Sequence, residues 1–295
     1  MTVMAAILPF ILFSCIGEEM MPCGKLIVVQ RIGEGGNAGT RGTVISSNTD
    51  LKGETFGFFA SLTPASSTPE QYFNASAVVN PDLTATISPE QYWPALLGAS
   101  MKFFSWYPYS GTGAPTANFS NLGQMVLNYT ANTDAANHVD VLAAISEPAW
   151  SEGVSIHFYH TLTKVTFTFK KVDPVPDVVT IEKIEFQNVG KSGKLTIPNI
   201  PATTTEHNKP DFVWNDITTG NISSTLADNN TVTEEAVLMG DTFLMLPTDA
   251  DDFPATAKIV ITTNFGDHQY EFISTRSPSL KSDAEELYIS PSLLS

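Results

Sequence analysis

Apolar positions along this chain fall into short runs, each closed by Gly, Pro, Asn, Asp or Ser, and no stretch sustains the 3.6-residue period of an amphipathic helix. That spacing predicts strands joined by turns. The predicted elements are Lys25–Ile32, Glu54–Ala60, Tyr72–Val79, Thr84–Ile87, Met101–Tyr109, Val154–Lys170, Val178–Val189, Lys194–Ile197, Ala236–Met239, Asp241–Leu246, Ala257–Thr263 and Tyr270–Ser274. Asp140–Ile145 reads as a short strand or a turn of helix. Gly190–Gly193 reads as a hairpin turn, Thr112–Asn137 as irregular chain, and Pro198–Asn230 as a long polar excursion around Phe212-Val213-Trp214.

Three of these strands carry more information. Lys25–Ile32 has Leu26 and Val28 on one face and Ile27 and Val29 on the other, which predicts cover on both sides. Met101–Tyr109 sets Phe103 and Tyr107 opposite Phe104 and Trp106, the signature of a central strand. In Val154–Lys170 the inward set moves from even positions (Ile156, Phe158, His160, Leu162) to odd ones (Val165, Phe167, Phe169). A period-2 strand cannot change parity without an extra residue, so a bulge or bend is expected near Thr163-Lys164. Strands at this spacing without helical crossovers predict an all-β chain of antiparallel β-sandwiches. The expected division is a leader and linker over 1–24, one domain over 25–150 and a second over 151–295, with Ser146–Gly153 between the domains.

Composition supports this picture. The chain has 295 residues, enough for two domains, with 42% hydrophobic residues and 18 Phe, 8 Tyr and 4 Trp. Its 31 acidic residues against 15 basic ones give a formal charge of −16, a surface that repels phosphate backbones and argues against nucleic-acid binding. The two cysteines, Cys15 and Cys23, both precede the first predicted strand, so no disulfide framework spans the globular part; a local Cys15–Cys23 bridge is the alternative to a modified Cys15. Met1–Ser14 is an apolar segment of secretory-signal length, too short to span a bilayer as a helix. Leu12-Phe13-Ser14-Cys15 resembles a lipobox, which would make Cys15 the lipidated residue, while a plain signal peptide cleaved nearby is the other reading. The loop Gly33–Gly42 is glycine-rich and carries one basic residue, Arg41, in an expected protease-accessible stretch.

Candidate chemistry is sparse. Neither HExxH nor GxSxG nor Cys-x-x-Cys occurs, and His157 and His160 lie an odd number of residues apart on one predicted strand, pointing to opposite faces. His160 reads as a core histidine. Asp249, Asp251 and Asp252 read as a solvated turn, since calcium-loop spacing is missing. The expectation is a protein that is not an enzyme and uses no cofactor or metal.

Several segments together resemble the fimbrillin family of Bacteroidetes surface lipoproteins, the subunits of type V pili: Tyr92-Trp93-Pro94, the run Phe103–Pro108, Asp140-Val141-Leu142, and Phe158–Val165 with its F-x-H-x-L-x-K pattern. Thr180–Gly190 and Leu244–Pro247 add to the likeness. Glu18 and Glu19, just after Cys15, resemble the surface-export signal of such lipoproteins. The resemblance implies two tandem transthyretin-like β-sandwich domains, a lipid anchor in the outer membrane through Cys15, and cleavage by an Arg-specific protease after Arg41. It also implies loss of the first strand, Leu26, Ile27, Val28 and Val29 included, and its replacement by a strand of another fimbrial subunit, with a host glycan or protein as the outward partner. The chain's end, AEELYISPSLLS, lacks the tryptophan-glycine-tyrosine strand that often closes family members, and Leu287–Leu294 is the candidate donor. Two alternatives accompany this reading. One is a carbohydrate-binding surface lipoprotein using Trp93 or Trp214, and the other an anchor or tip subunit that keeps its first strand.

Overall fold

The computed structural model describes residues 25–34, 45, 47–65, 67–95, 98–120, 122–147, 153–171, 178–197, 212–227, 230–247 and 254–271. Cys15, Cys23, Glu18, Glu19, Arg41, His207, the aspartates at 249–252 and Leu287–Leu294 lie outside them. The described chain is all-β apart from one turn of 3-10 helix at Ala135–Asn137. Its strands are β1 (Val29–Glu34), β2 (Thr55–Thr63), β3 (Glu70–Val79), β4 (Ala85–Ser88), β5 (Ser100–Tyr107), β6 (Thr116–Asn118), β7 (Met125–Thr130), β8 (Leu142–Ser146), β9 (Val154–His160), β10 (Thr163–Phe169), β11 (Ile181–Ile197), β12 (Val213–Thr225), β13 (Val237–Met245), β14 (Lys258–Thr263) and β15 (Gly266–Glu271). Among the described residues no helix is long and apolar enough to cross a membrane.

Seven strands close a barrel in the order β1-β4-β3-β2-β5-β8-β9, and the rest form two facing sheets, β10-β13 and β15-β14-β11-β7-β6 with β12 on β11. Each pair is antiparallel except one, β1 with β9, which is parallel and departs from the antiparallel expectation. Two hydrophobic cores follow. The barrel interior is filled by Phe56, Phe58, Phe103 and Phe158, with the Phe58 and Phe103 rings stacked at 5.3 Å. The second core lies between the two sheets, where Phe167, Phe186 and Phe243 meet at centroid distances of 5.0 to 5.7 Å. β5 serves both, as its two-faced pattern predicts: Phe103 points into the barrel, while Phe104 and Trp106 pack outward in the second core with Met125 and Leu127 of β7. Trp106 lies flat across Gly57, its partner on β2, where an added Cβ would come within 2.1 Å of the indole, so only glycine fits there.

Several sequence expectations change for a common reason: turn-type residues are absorbed into strands by their neighbours. The hairpin expected at Gly190–Gly193 is the middle of one continuous strand, β11, which pairs with β14 through its first half and with β7 through its second. Its register against β12 shifts three times between Phe186 and Lys194, and Asn188 takes a positive φ, so these residues make bulges instead of a turn. Within the polar excursion, β12 is held on β11 by backbone hydrogen bonds, with most of its side chains exposed. In the region expected to be irregular, β7 alternates buried and half-buried residues against β11.

The parity change in Val154–Lys170 is a break between two strands. β9 ends at His160 in the barrel and β10 begins at Thr163 in the other sheet, so the chain crosses between cores at Thr161-Leu162, with a further register shift between Val165 and Phe167. Ser146–Gly153, expected between domains, joins β8 to β9, which are neighbours in the barrel. Pairing therefore crosses residue 150 in both directions: β9 belongs with the strands before it, and β6 and β7 with those after it.

His138 ties the 3-10 turn to β13. Its Nε2 donates to the Asn132 carbonyl at 3.0 Å, and its Nδ1 accepts the Leu244 N–H at 2.9 Å. A second ring proton would face that N–H, and burial already holds the His138 pKa below its ordinary 6.5. A histidine with a lowered folded-state pKa contributes stability above the unfolded value, and that contribution is lost as pH falls below 6.5 toward the folded value. His138→Asn, whose Oδ1 can accept the Leu244 N–H without titrating, is expected to flatten this part of the profile. Denaturant unfolding of both proteins across that range checks it, and parallel profiles would refute it.

Candidate functional site: the strand that closes the barrel

Among the described residues β1 closes the barrel between β4 and β9. On one side β1 pairs with β4 at Val29 and Ala85; on the other it runs parallel to β9 from Val29 opposite Val154 to Glu34 opposite Phe158. Further backbone bonds extend the seam: Ile27 N–H to the Gln91 carbonyl (2.8 Å), Ile32 N–H to Leu83 (2.8 Å), Trp93 N–H to Lys25 (2.9 Å) and Val154 N–H to Val28 (2.9 Å). Residues 25–34 thus occupy a slot between two strands that are each backed by other neighbours.

Side chains anchor this segment on one face only. Ile27, Val29 and Ile32 are buried at 2%, 0% and 1% exposure in the barrel core, whereas Leu26 and Val28 are 39% and 41% exposed. Two-sided cover is thus not found, because only the barrel interior lies against the strand. Burial of those three side chains is worth about 4.5–9 kcal/mol before the ordering of the segment is counted, at roughly 1.5–3 kcal/mol each.

Inward spacing is two residues and then three, and the register explains it. Val29 faces Val154 and Arg31 faces Ser155, so Gln30 is an extra residue that bulges out and lets Ile32 turn inward again.

The chain beyond residue 41 is pinned as well. Asp140, buried just before β8, accepts the Ile45 N–H on its Oδ2 at 3.1 Å, and the same oxygen lies 2.9 Å from Nδ1 of His160 at the end of β9. Burial first, and the Asp140 charge second, raise the pKa of Tyr129 nearby. His160 is the core histidine expected, and its partner was missed in the sequence because an acid at the head of an apolar run looks like a turn residue. Ile45, Asp140 and His160 thereby hold the chain just beyond residue 41, as β1 holds it before that residue.

The other candidates fare differently. Trp93 is 3% exposed and packs edge-on against Phe103 at 5.9 Å. Half-buried Trp214 donates its indole N–H to the Thr161 carbonyl at 3.0 Å and meets Tyr129. Trp93 therefore offers no open ring face of the kind sugar stacking uses. Among the described residues no three His, Cys, Asp or Glu side chains are grouped to hold a metal ion.

Among the described residues the fold is thus a β-barrel closed by its first strand, β1, with a second core between two further sheets. Comparison with known families places it: the fimbrillin-like family model matches residues 40–288, and the chain belongs to that family. The matched region begins after β1. No curated protein matches the chain. Among solved structures, a candidate cell adhesion protein from Bacteroides uniformis is 14% identical, with 90% of this chain and 93% of that one covered at a TM-score of 0.52, which shows a shared fold. A candidate adhesin from Bacteroides thetaiotaomicron (8% identical, 92% and 93% covered, TM-score 0.46) and a candidate cell adhesion protein from Bacteroides ovatus (14%, 82% and 86%, 0.44) are more distant in shape.

Proposed function

We propose that this chain is a structural subunit of surface fimbriae that serves adhesion, with no enzymatic activity of its own. It is exported as a lipoprotein through Cys15 to the outer membrane, cut after Arg41 by an Arg-specific protease, and assembled when a strand of another subunit fills the slot left by residues 25–34. The observation that carries this reading is the placement of β1: among the described residues it closes the barrel between β4 and β9, and residue 41 lies in the chain that joins it to the strands that follow. A cut there leaves β1 held only by noncovalent contacts. The emptied slot would expose two strand edges and three apolar sockets, which together form a β-augmentation site. Family membership and the adhesion proteins among the structural neighbours point the same way.

Treatment of the purified protein with an Arg-specific protease, followed by intact mass and electron microscopy, tests the proposal. Cleavage after Arg41 with linear polymers is the expected result, and Arg41→Ala is expected to abolish both. Arg31 and Arg276 are the other arginines, and mass distinguishes cuts there. A chain cut at Arg41 that stays monomeric over a wide concentration range would overturn the stalk role.

A further inference from the structure

The slot around β1 is shaped by two glycines that stand opposite each other's strands. Gly33 on β1 faces His157 on β9, and a Cβ on Gly33 would lie 3.0 Å from the imidazole Nδ1 and 3.1 Å from its Cε1. Gly153, at the start of β9 with φ +81°, lies under Gln30, and a Cβ there would meet the Gln30 side chain at 2.7 Å. Each strand therefore offers a hole that receives a side chain of the other. Gln30 is also the bulged residue that resets the inward spacing from Val29 to Ile32. The bulge and both knob-and-hole contacts fall within five consecutive residues of β1 and fix one register of a parallel pair, which backbone hydrogen bonds alone leave free to slip.

We infer that His157 and Gly153 are specificity-determining residues of the groove, selecting an incoming subunit strand by this pattern. The strand has apolar residues at spacing two then three, a long flexible side chain at the bulge over Gly153, and glycine directly after the third apolar residue, under His157. This inference rests on the strand-exchange reading above and names the partner strand's chemistry; Leu287–Leu294 lacks the glycine, so it is expected to fill the slot more weakly than a strand that has it. Any side chain in place of that glycine meets the imidazole, and a strand without the bulge turns its third apolar residue to solvent.

The test uses full chain cut after Arg41 and cleared of its first strand, with a labelled peptide of the sequence Lys25–Glu34 as probe. The parent peptide is expected to bind, while peptides carrying Gly33→Leu or lacking Gln30 bind at least about tenfold more weakly, the cost of overpacking or of a lost apolar socket. His157→Ala in the chain is expected to restore binding of the Gly33→Leu peptide. If that peptide binds as the parent does, the selection by His157 is refuted while strand exchange stands. If no peptide binds, strand exchange fails and the inference falls with it. In the uncut chain, Gly33→Leu is expected to speed hydrogen exchange at Ile32 and Val154 about tenfold or more without changing that of β2 and β5; unchanged exchange at Ile32 and Val154 would overturn the clasp by itself.

Discussion

Asp140→Ala is expected to lower the unfolding free energy by about 3–5 kcal/mol, because it removes one partner of a buried pair and leaves the others unpaired. Two groups lose their acceptor at once: the Ile45 N–H at 3.1 Å and His160 Nδ1 at 2.9 Å. Both are buried, so water cannot replace the carboxylate without entering the barrel. Asp140→Asn keeps an oxygen in place and is expected to lose less. Urea unfolding of the three proteins measures the ordering, and hydrogen exchange at Ile45 should rise most in the alanine variant. A loss below about 1 kcal/mol for alanine would mean that the pair carries no more than an ordinary exposed contact.

Val29→Asp is expected to expel β1 from the uncut chain. Val29 is fully buried at the point where β1 touches both β4 and β9. The substitution forfeits roughly 1.5–3 kcal/mol of valine burial and adds the several kcal/mol needed to desolvate a carboxylate. Together these match the gross gain of about 4.5–9 kcal/mol from all three anchors, from which the ordering of the segment is still to be subtracted. Hydrogen exchange should therefore become fast at Val154, Ile27 and Ile32, whose N–H groups line the seam, while the β2 to β5 amides stay protected. If strand exchange drives assembly, this variant should also associate without protease. A barrel that keeps these amides protected would show that β1 is held by more than its three inward side chains.

Strand identity was largely legible in the sequence, and the reasons are local. β2, β3, β4, β5 and β14 fall within a few residues of their expected bounds, because each is a short run, alternating in β3 and β4 and apolar on both faces in β2, β5 and β14, bounded by turn signals. The two-faced character of β5 was legible for the same cause, since both sets of aromatics are written into one short run. β12 was not legible, because its residues are mostly small or polar and the backbone of β11 beside it makes it a strand; β7 was missed although Met125, Leu127 and Tyr129 alternate inward, because the run is short and lies in a small, polar stretch. Gly190 and Gly193 misled for the complementary reason, as a glycine suits a bulge or a close approach as well as a turn.

For the candidate site, the sequence by itself determined that the first strand is apolar and that a glycine-rich stretch of chain carrying Arg41 follows it. Those are properties of single residues and their neighbours. Only the tertiary structure decided that Ile27, Val29 and Ile32 face inward while Leu26 and Val28 do not, that β1 closes the barrel parallel to β9, and that Asp140 holds Ile45 beyond the loop. Each of these depends on a register between segments about a hundred residues apart, and side-chain periodicity states which residues can face a core without stating which strand supplies it.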